Sequence, residues 1–170
     1  MEKEIVNRVA KIPVKNIDVS SFIPKNKRVI LDIKKWLKND LVLIEKEFRN
    51  KVKNFDWKVY QNKFVSIQCS NDAIIPDWAF ILVSSVLKQN KISNFIGSLK
   101  SMEEYLIIES IRKSDFSIYE NKIVIIQGCS NESFPKSCYS SLINKLQPMV
   151  KKILFGEACS SVPIFKRVQN

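Results

Sequence analysis

The chain repeats itself, and this constrains its fold more than any other feature. Residues from about Phe48 to Gly97 recur as about Ile107 to Gly156, offset by 59 positions (Tyr60 to Tyr119). In the densest stretch Asp56, Tyr60, Asn62, Lys63, Val65, Ile67 and Gln68 meet Asp115, Tyr119, Asn121, Lys122, Val124, Ile126 and Gln127. Gly128 is then inserted, so Cys69-Ser70-Asn71 meets Cys129-Ser130-Asn131. A later deletion restores the offset: Pro76 meets Pro135 and Gly97 meets Gly156. Two copies of one supersecondary unit are expected, each with a Cys-Ser-Asn loop at the same place.

The hydrophobic period shows what that unit is. Ile44, Phe48, Val52 and Phe55 recur every three to four residues, as on an amphipathic helix. Lys63–Gln68 (KFVSIQ) reads as a strand and Cys69–Ile75 as a loop. Pro76 opens a second helix with an apolar stripe of Ala79, Val83, Val86 and Leu87, because a first-turn proline sacrifices no helical hydrogen bond. Ile92–Ile96 is a strand closed by Gly97. In the second copy Ser101 and Glu104 form a capping box, and that helix runs to about Lys113. Lys122–Gln127 is its strand, Pro135 opens a helix with Cys138, Leu142, Leu146 and Met149 inward, and Lys152–Phe155 is the last strand. Asp56-Trp57 and Asp115-Phe116, each with a tyrosine three residues on, mark the corner between helix and strand, with the ring packed beneath.

Each copy is thus α-β-α-β, and a β-α-β crossover places its strands parallel. The near-continuous apolar runs of the strands suit a sheet covered on both faces. The expected fold class is α/β: one mainly parallel sheet of four strands flanked by helices, with Arg28–Ile33 (RVILDI) as an added edge strand. Asn39-Asp40 is a plausible turn after Trp36, ahead of a short further strand. Residues 1–27, broken by Pro13 and Pro24, read as an irregular arm with room for one short element. Residues 28–170 read as a single domain with repeats at about 44–97 and 102–156. Glu157–Asn170 shows no clear period.

Composition then removes several chemistries. The 170 residues contain no histidine, which excludes Ser-His-Asp and Cys-His nucleophile systems and histidine metal sites. Only 3 glycines are present, and no GxGxxG or Walker spacing occurs. The net charge of +11 points towards polyanions. The charge is dispersed, however, and no aromatics interleave with it, so a nucleic-acid partner is disfavoured. The N-terminus lacks an apolar h-region and no run suits a membrane helix, so a cytoplasmic protein with reduced cysteines and no membrane contact is expected.

The repeat also locates the cysteines. Cys69 and Cys129 each follow a strand and precede a helix, and Cys159 follows the last strand. In one parallel sheet all three would line the edge formed by the strand C-termini, where open α/β sheets bind ligands. A thiol near a helix N-terminus gains thiolate character, and thiolate is both nucleophile and soft-metal ligand. Cys69, Cys129 and Cys159 are therefore candidate ligands for zinc or an iron–sulfur cluster. The plainer reading is that they are small residues in tight loops, since no CxxC pair exists. Ser70 and Ser130, each followed by Asn, are candidate cofactor-binding residues that offer donors to an anion; the plainer reading is local turn and helix capping. Asp72, Asp77 and Glu132 in the same loops are candidate proton carriers or hard ligands. Cys138, whose repeat partner is Ala79, reads as a small core residue.

Several segments resemble a known family: Cys69-Ser-Asn-Asp-Ala-Ile-Ile-Pro-Asp-Trp-Ala79, Gln127-Gly-Cys-Ser130, Leu146-Gln-Pro-Met-Val150 and Phe155-Gly-Glu-Ala-Cys-Ser-Ser-Val-Pro163. They are similar to a bacterial family, domain of unknown function 2480, over about Arg28 to Arg167. The resemblance brings no activity or catalytic residue. It implies an accessory role beside the sulfur-mobilisation system of iron–sulfur cluster assembly, with proteins of that machinery as partners. Two rivals stay open: a thiol enzyme with Cys129 as nucleophile and Lys122, Asp or Glu as proton carriers, and a basic nucleic-acid-binding module. A homodimer is compatible with each.

Overall fold

The computed structural model describes residues 14–71, 73–128, 134–157 and 159–168. In chain order the regular elements are β1 (Val14–Asp18), β2 (Arg28–Asp32), α1 (Glu45–Asn54), β3 (Phe64–Gln68), α2 (Asp77–Gln89), β4 (Ser93–Ile96), α3 (Leu99–Lys113), β5 (Ile123–Gln127), α4 (Lys136–Leu146), β6 (Lys152–Phe155) and β7 (Val162–Lys166). Single 3₁₀ turns punctuate them at Val19–Phe22, Ile33–Trp36, Trp57–Tyr60 and Ser117–Tyr119. The α/β class expected from the repeats is the class found.

The single sheet expected from the repeats is instead two sheets. Contacts divide the chain into one unit that takes everything up to Pro24 and from Leu106 on, and a second that runs from Lys25 to Tyr105. The second unit holds a three-stranded sheet of order β2-β3-β4, all parallel. The first holds a four-stranded sheet of order β1-β5-β6-β7, parallel except for β7. The boundary falls within α3, between Tyr105 and Leu106.

Beneath this division lies a repeat larger than the one visible at an offset of 59. Each parallel sheet starts with a strand that ends in aspartate and runs into a 3₁₀ turn: Asp18 before Val19–Phe22, and Asp32 before Ile33–Trp36. The registers agree, with Asp18 opposite Gln127 and Asp32 opposite Gln68. The first strand of one unit is therefore followed in sequence by the whole of the other unit. Sequence reading placed residues 1–27 in an irregular arm and made Arg28–Ile33 an edge of a common sheet. Of Val14–Asp18 only Ile17 is buried, so no alternating pattern marks that segment as a strand.

Each unit has its own core. In the Lys25–Tyr105 unit, Leu31, Val65 and Ile67 of the sheet pack with Phe48 and Val52 of α1 and with Ala79, Val83 and Leu87 of α2. Burying each large aliphatic or aromatic chain contributes roughly 1.5–3 kcal/mol. Trp36 meets the rings of Phe48, Phe55 and Trp57 edge-on, at centroid distances of 5.7, 5.5 and 5.9 Å. Trp57 sits beneath the corner as expected and donates its indole N–H to the Val52 carbonyl at 3.1 Å, which satisfies an orphan carbonyl near the end of α1. In the other unit Ile17, Val124, Ile126 and Ile153 pack with Ile107 and Ile111 of α3 and with Cys138, Leu142 and Leu146 of α4. Cys138 is fully buried, as its Ala79 counterpart is. Partial burial raises the phenol pKa of Tyr60 and of its counterpart Tyr119.

Local differences have local causes. α3 begins at Leu99, because Ser98 Oγ accepts the Ser101 N–H at 3.1 Å; Ser98 is the cap, not Ser101. The turn at Asn39-Asp40 is present with φ of 50° and 60°, but it closes an isolated Lys38–Val42 bridge and not a strand. β7 lies in the tail that shows no period. It is an exposed edge strand that tolerates Pro163 and carries a register shift at Ile153/Leu154.

Candidate functional site

The C-terminal ends of parallel strands are where loops converge, and the two units build this edge alike. At the edge of the three-stranded sheet, β2 ends in Asp32, β3 in Gln68 and β4 in Ile96 followed by Gly97. Asp32 organises the edge. Its Oδ1 accepts the Lys34 N–H at 3.0 Å, which starts the 3₁₀ turn, and the Ser70 N–H at 3.2 Å, which draws in the loop after β3. Partial burial works to raise the Asp32 pKa. The hydrogen bonds from the Ser70 hydroxyl and the Lys34 and Ser70 N–H groups, together with the Lys34 charge, outweigh burial and hold the carboxyl below its ordinary value.

The rest of the loop is tied down as well. Cys69 Sγ is 2.8 Å from Asn71 Oδ1, to which the thiol donates. Asn71 Nδ2 donates to the Asp40 carbonyl. Lys34 Nζ stands 3.6 Å from Asp40 Oδ2. Beneath the loop Ser66, fully buried, donates its hydroxyl to the Gly97 carbonyl at 2.5 Å and accepts the Gln68 Nε2 at 2.5 Å. Gly97 has φ +142°, and its N–H donates to the Ile67 carbonyl at 3.1 Å.

In its described residues the four-stranded sheet repeats part of this edge. Asp18 Oδ1 accepts the Ser20 N–H at 2.8 Å, and hydrogen bonds from Ser20 lower the Asp18 pKa. Gly156, at φ +114°, donates its N–H to the Ile126 carbonyl at 3.0 Å. Gln127 Nε2 reaches Glu157 Oε2 at 3.3 Å, across the ends of β5 and β6. Ile125 stands where the other sheet has Ser66, so among the described residues the buried hydroxyl network has no counterpart in this sheet.

This arrangement changes the cysteine edge. Cys69 follows β3 of the three-stranded sheet, whereas Cys159 follows β6 of the four-stranded one, so the two do not share a sheet edge as expected. The cause is the insertion of one unit within the other, which the offset of 59 does not reveal. Cys69 also lies well before α2, which opens only at Asp77. Ser70 presents its donors to Asp32, a carboxylate of the protein itself. Cys129, Ser130, Glu132 and Asp72 lie outside the described residues. Cys159 is an exposed free thiol and Cys69 a half-buried one. Among the described residues no group of three Cys, Asp or Glu side chains is placed to hold a metal ion. Among the same residues no helix is long and apolar enough to cross a membrane.

Sequence reading missed Asp32 and Asp18. A signal was present in the paired triplets Ile17-Asp18-Val19 and Leu31-Asp32-Ile33, where a lone acid interrupts an apolar run at the end of a strand.

The chain belongs to the family described as protein of unknown function (DUF2480), which matches residues 3–167. No curated protein and no solved structure matches it.

Proposed function

We propose that this family member is a non-catalytic accessory protein of iron–sulfur chemistry in the cytoplasm, in which Cys129 and Cys159 donate thiolates to a soft metal centre. The observation that carries the reading is the parallel pairing of β5 and β6, in register from Ile123 with Lys152 to Ile126 with Phe155. In sequence Cys129 comes two positions after β5 and Cys159 four after β6, and the support for the reading is that these two strands are parallel neighbours that end at one edge. Cys159 is exposed, as a transferable ligand must be. Cys69 follows a strand of the other sheet.

The donor set fits zinc or an iron–sulfur cluster in kind but not in number. Both prefer thiolate ligands, and both take about four protein ligands at a closed site. Two thiolates leave positions for ligands from a second copy or from a protein of the assembly machinery, which suits a carrier better than a resident structural site. A bound iron–sulfur cluster would supply electron or cluster transfer, whereas zinc, being redox-inert, would be carried only; the chain's own part is to hold and release the centre.

The test is anaerobic purification followed by absorption spectroscopy and iron, zinc and sulfide analysis. Metal or cluster should be retained by the parent and by Cys69→Ala, and lost from Cys129→Ala/Cys159→Ala while the circular dichroism spectrum is unchanged. Full loading of that double variant, or a metal-free parent after reconstitution, would sink the proposal.

A further inference from the structure

At the end of the four-stranded sheet remote from Cys159, Lys152 of β6 and Lys166 of β7 are direct register partners. Like charges placed opposite one another on neighbouring strands are destabilising. Lys151 and Arg167 flank the pair, and the four line a cavity of about 740 Å³ together with Asn121, Ile123 and Val168. None of the four cations lies within ion-pair distance of a carboxylate among the described residues. Four positive charges around one cavity, with no carboxylate partner among the described residues, repel each other unless something anionic lies between them.

From this we infer that the cavity is a binding site for a small phosphate-bearing ligand of the oligophosphate-ester class. Arg167 is already positioned: its N–H donates to the Lys151 carbonyl at 2.9 Å, and its guanidinium donates to the Pro148 carbonyl. The guanidinium has further donors besides the one used on Pro148, and its planar fork is the geometry suited to phosphate oxygens. The lysines supply mobile point charges around it. Ile123 and Val168 give the cavity an apolar wall for the organic part of an ester. The volume is that of a small-molecule site, where enclosure of roughly 300–1,000 Å³ is usual. A nucleic-acid strand is the poorer occupant, because among the described residues no aromatic ring lines this cavity to stack a base. Among the described residues no carboxylate or thiol lines the wall, and the role inferred for the site is recognition. It is separate from the proposed metal centre and does not depend on it.

The experiment is isothermal titration of the full chain with inorganic triphosphate and with ATP at low ionic strength. Both probes should bind, ATP at least as tightly, and the affinity of each should fall steeply as salt is raised. Lys152→Gln/Lys166→Gln should weaken both at least tenfold. The same change should leave the melting temperature of the free protein equal or higher, since it removes a repulsion. If the double variant does not fold, Lys151→Gln and Lys166→Gln singly, both at exposed positions, should each weaken binding by about threefold. Affinity unchanged in the folded variants, or no binding of either probe at low salt, would overturn the inference. Binding of a single-stranded oligonucleotide without binding of ATP or triphosphate would overturn it as well, in favour of a nucleic-acid surface.

Discussion

The backbone N–H of Ser70 donates to the Asp32 carboxylate at 3.2 Å across 38 positions of sequence, and so joins the end of β2 to the loop after β3. One carboxylate therefore starts a 3₁₀ turn and anchors the Cys-Ser-Asn loop. Asp32→Ala should leave the Lys34 and Ser70 N–H groups and the Ser70 hydroxyl without that acceptor. A loss of about 1–3 kcal/mol is expected in urea unfolding. A loss within error would mean that water replaces the carboxylate at no cost.

The same carboxyl sets a dependence on pH. Asp32, Asp18 and Asp115 are all lowered from the ordinary 3.8; for Asp115 the cause is hydrogen bonding from the Ser117 N–H and hydroxyl. A folded value below the unfolded one means that the stabilisation is complete above the unfolded value. It is lost as pH falls through the folded value. Unfolding free energy should thus hold down to about pH 4 and decline below it. Asp32→Asn should show a shallower decline, measured by urea titrations from pH 2 to 7. An identical acid slope in the variant would show that Asp32 contributes nothing to it.

What the sequence disclosed and what it hid have different physical origins. α1, α2, α4 and strands β3 to β6 were legible because an apolar face recurs at the helical period or a β-branched run is bounded by turn residues. The offset of 59 showed that they come in two sets. Assignment of those sets to separate sheets was hidden, since Asp18 and Asp32 lie only 14 positions apart (32 minus 18) on strands that belong to different units. β1 and β7 are edge strands that bury little, and burial is what writes a pattern into sequence. At the candidate site, the Cys-Ser-Asn loop stood out by repetition. Asp32, which holds it, did not, because a single acid at a strand end carries no period.

Ser66 gives a test of the buried network in the Lys25–Tyr105 unit. Its hydroxyl bridges the Gly97 carbonyl and the Gln68 amide, each at 2.5 Å, within a fully buried environment. Ser66→Ala removes the bridge and leaves two polar groups without their partner. The expected cost is about 1–3 kcal/mol, read as a lower midpoint in urea with unchanged m-value. A neutral result would imply that the two groups find each other once the hydroxyl is gone.

Gly97 and Gly156 occupy the same place in the two units and should differ in their tolerance of a side chain. Both have positive φ, at +142° and +114°, so alanine strains either backbone. A Cβ at Gly97 would also stand 2.7 Å from the Phe95 ring, whereas at Gly156 its nearest neighbour is the Ser160 carbonyl oxygen at 3.4 Å. Gly97→Ala should therefore lower the melting temperature more than Gly156→Ala. Equal shifts would show that the Phe95 ring moves aside freely and that backbone conformation alone sets the cost.

Thiol reactivity should follow the environment of each described cysteine. Cys159 is exposed, Cys69 is half-buried and engaged with Asn71, and Cys138 is fully buried on α4. A thiol must reach solvent as thiolate to be alkylated. In the native protein Cys159 should label first with iodoacetamide, Cys69 more slowly, and Cys138 only when the unit opens. Asn71→Ala frees the Cys69 sulfur of its acceptor and should raise its labelling rate severalfold while that of Cys159 stays constant. Peptide-resolved mass spectrometry over a time course separates the sites. Labelling of Cys138 as fast as Cys159 would contradict the core placement of α4. An unchanged Cys69 rate in Asn71→Ala would show that exposure, not the hydrogen bond to Asn71, governs that thiol.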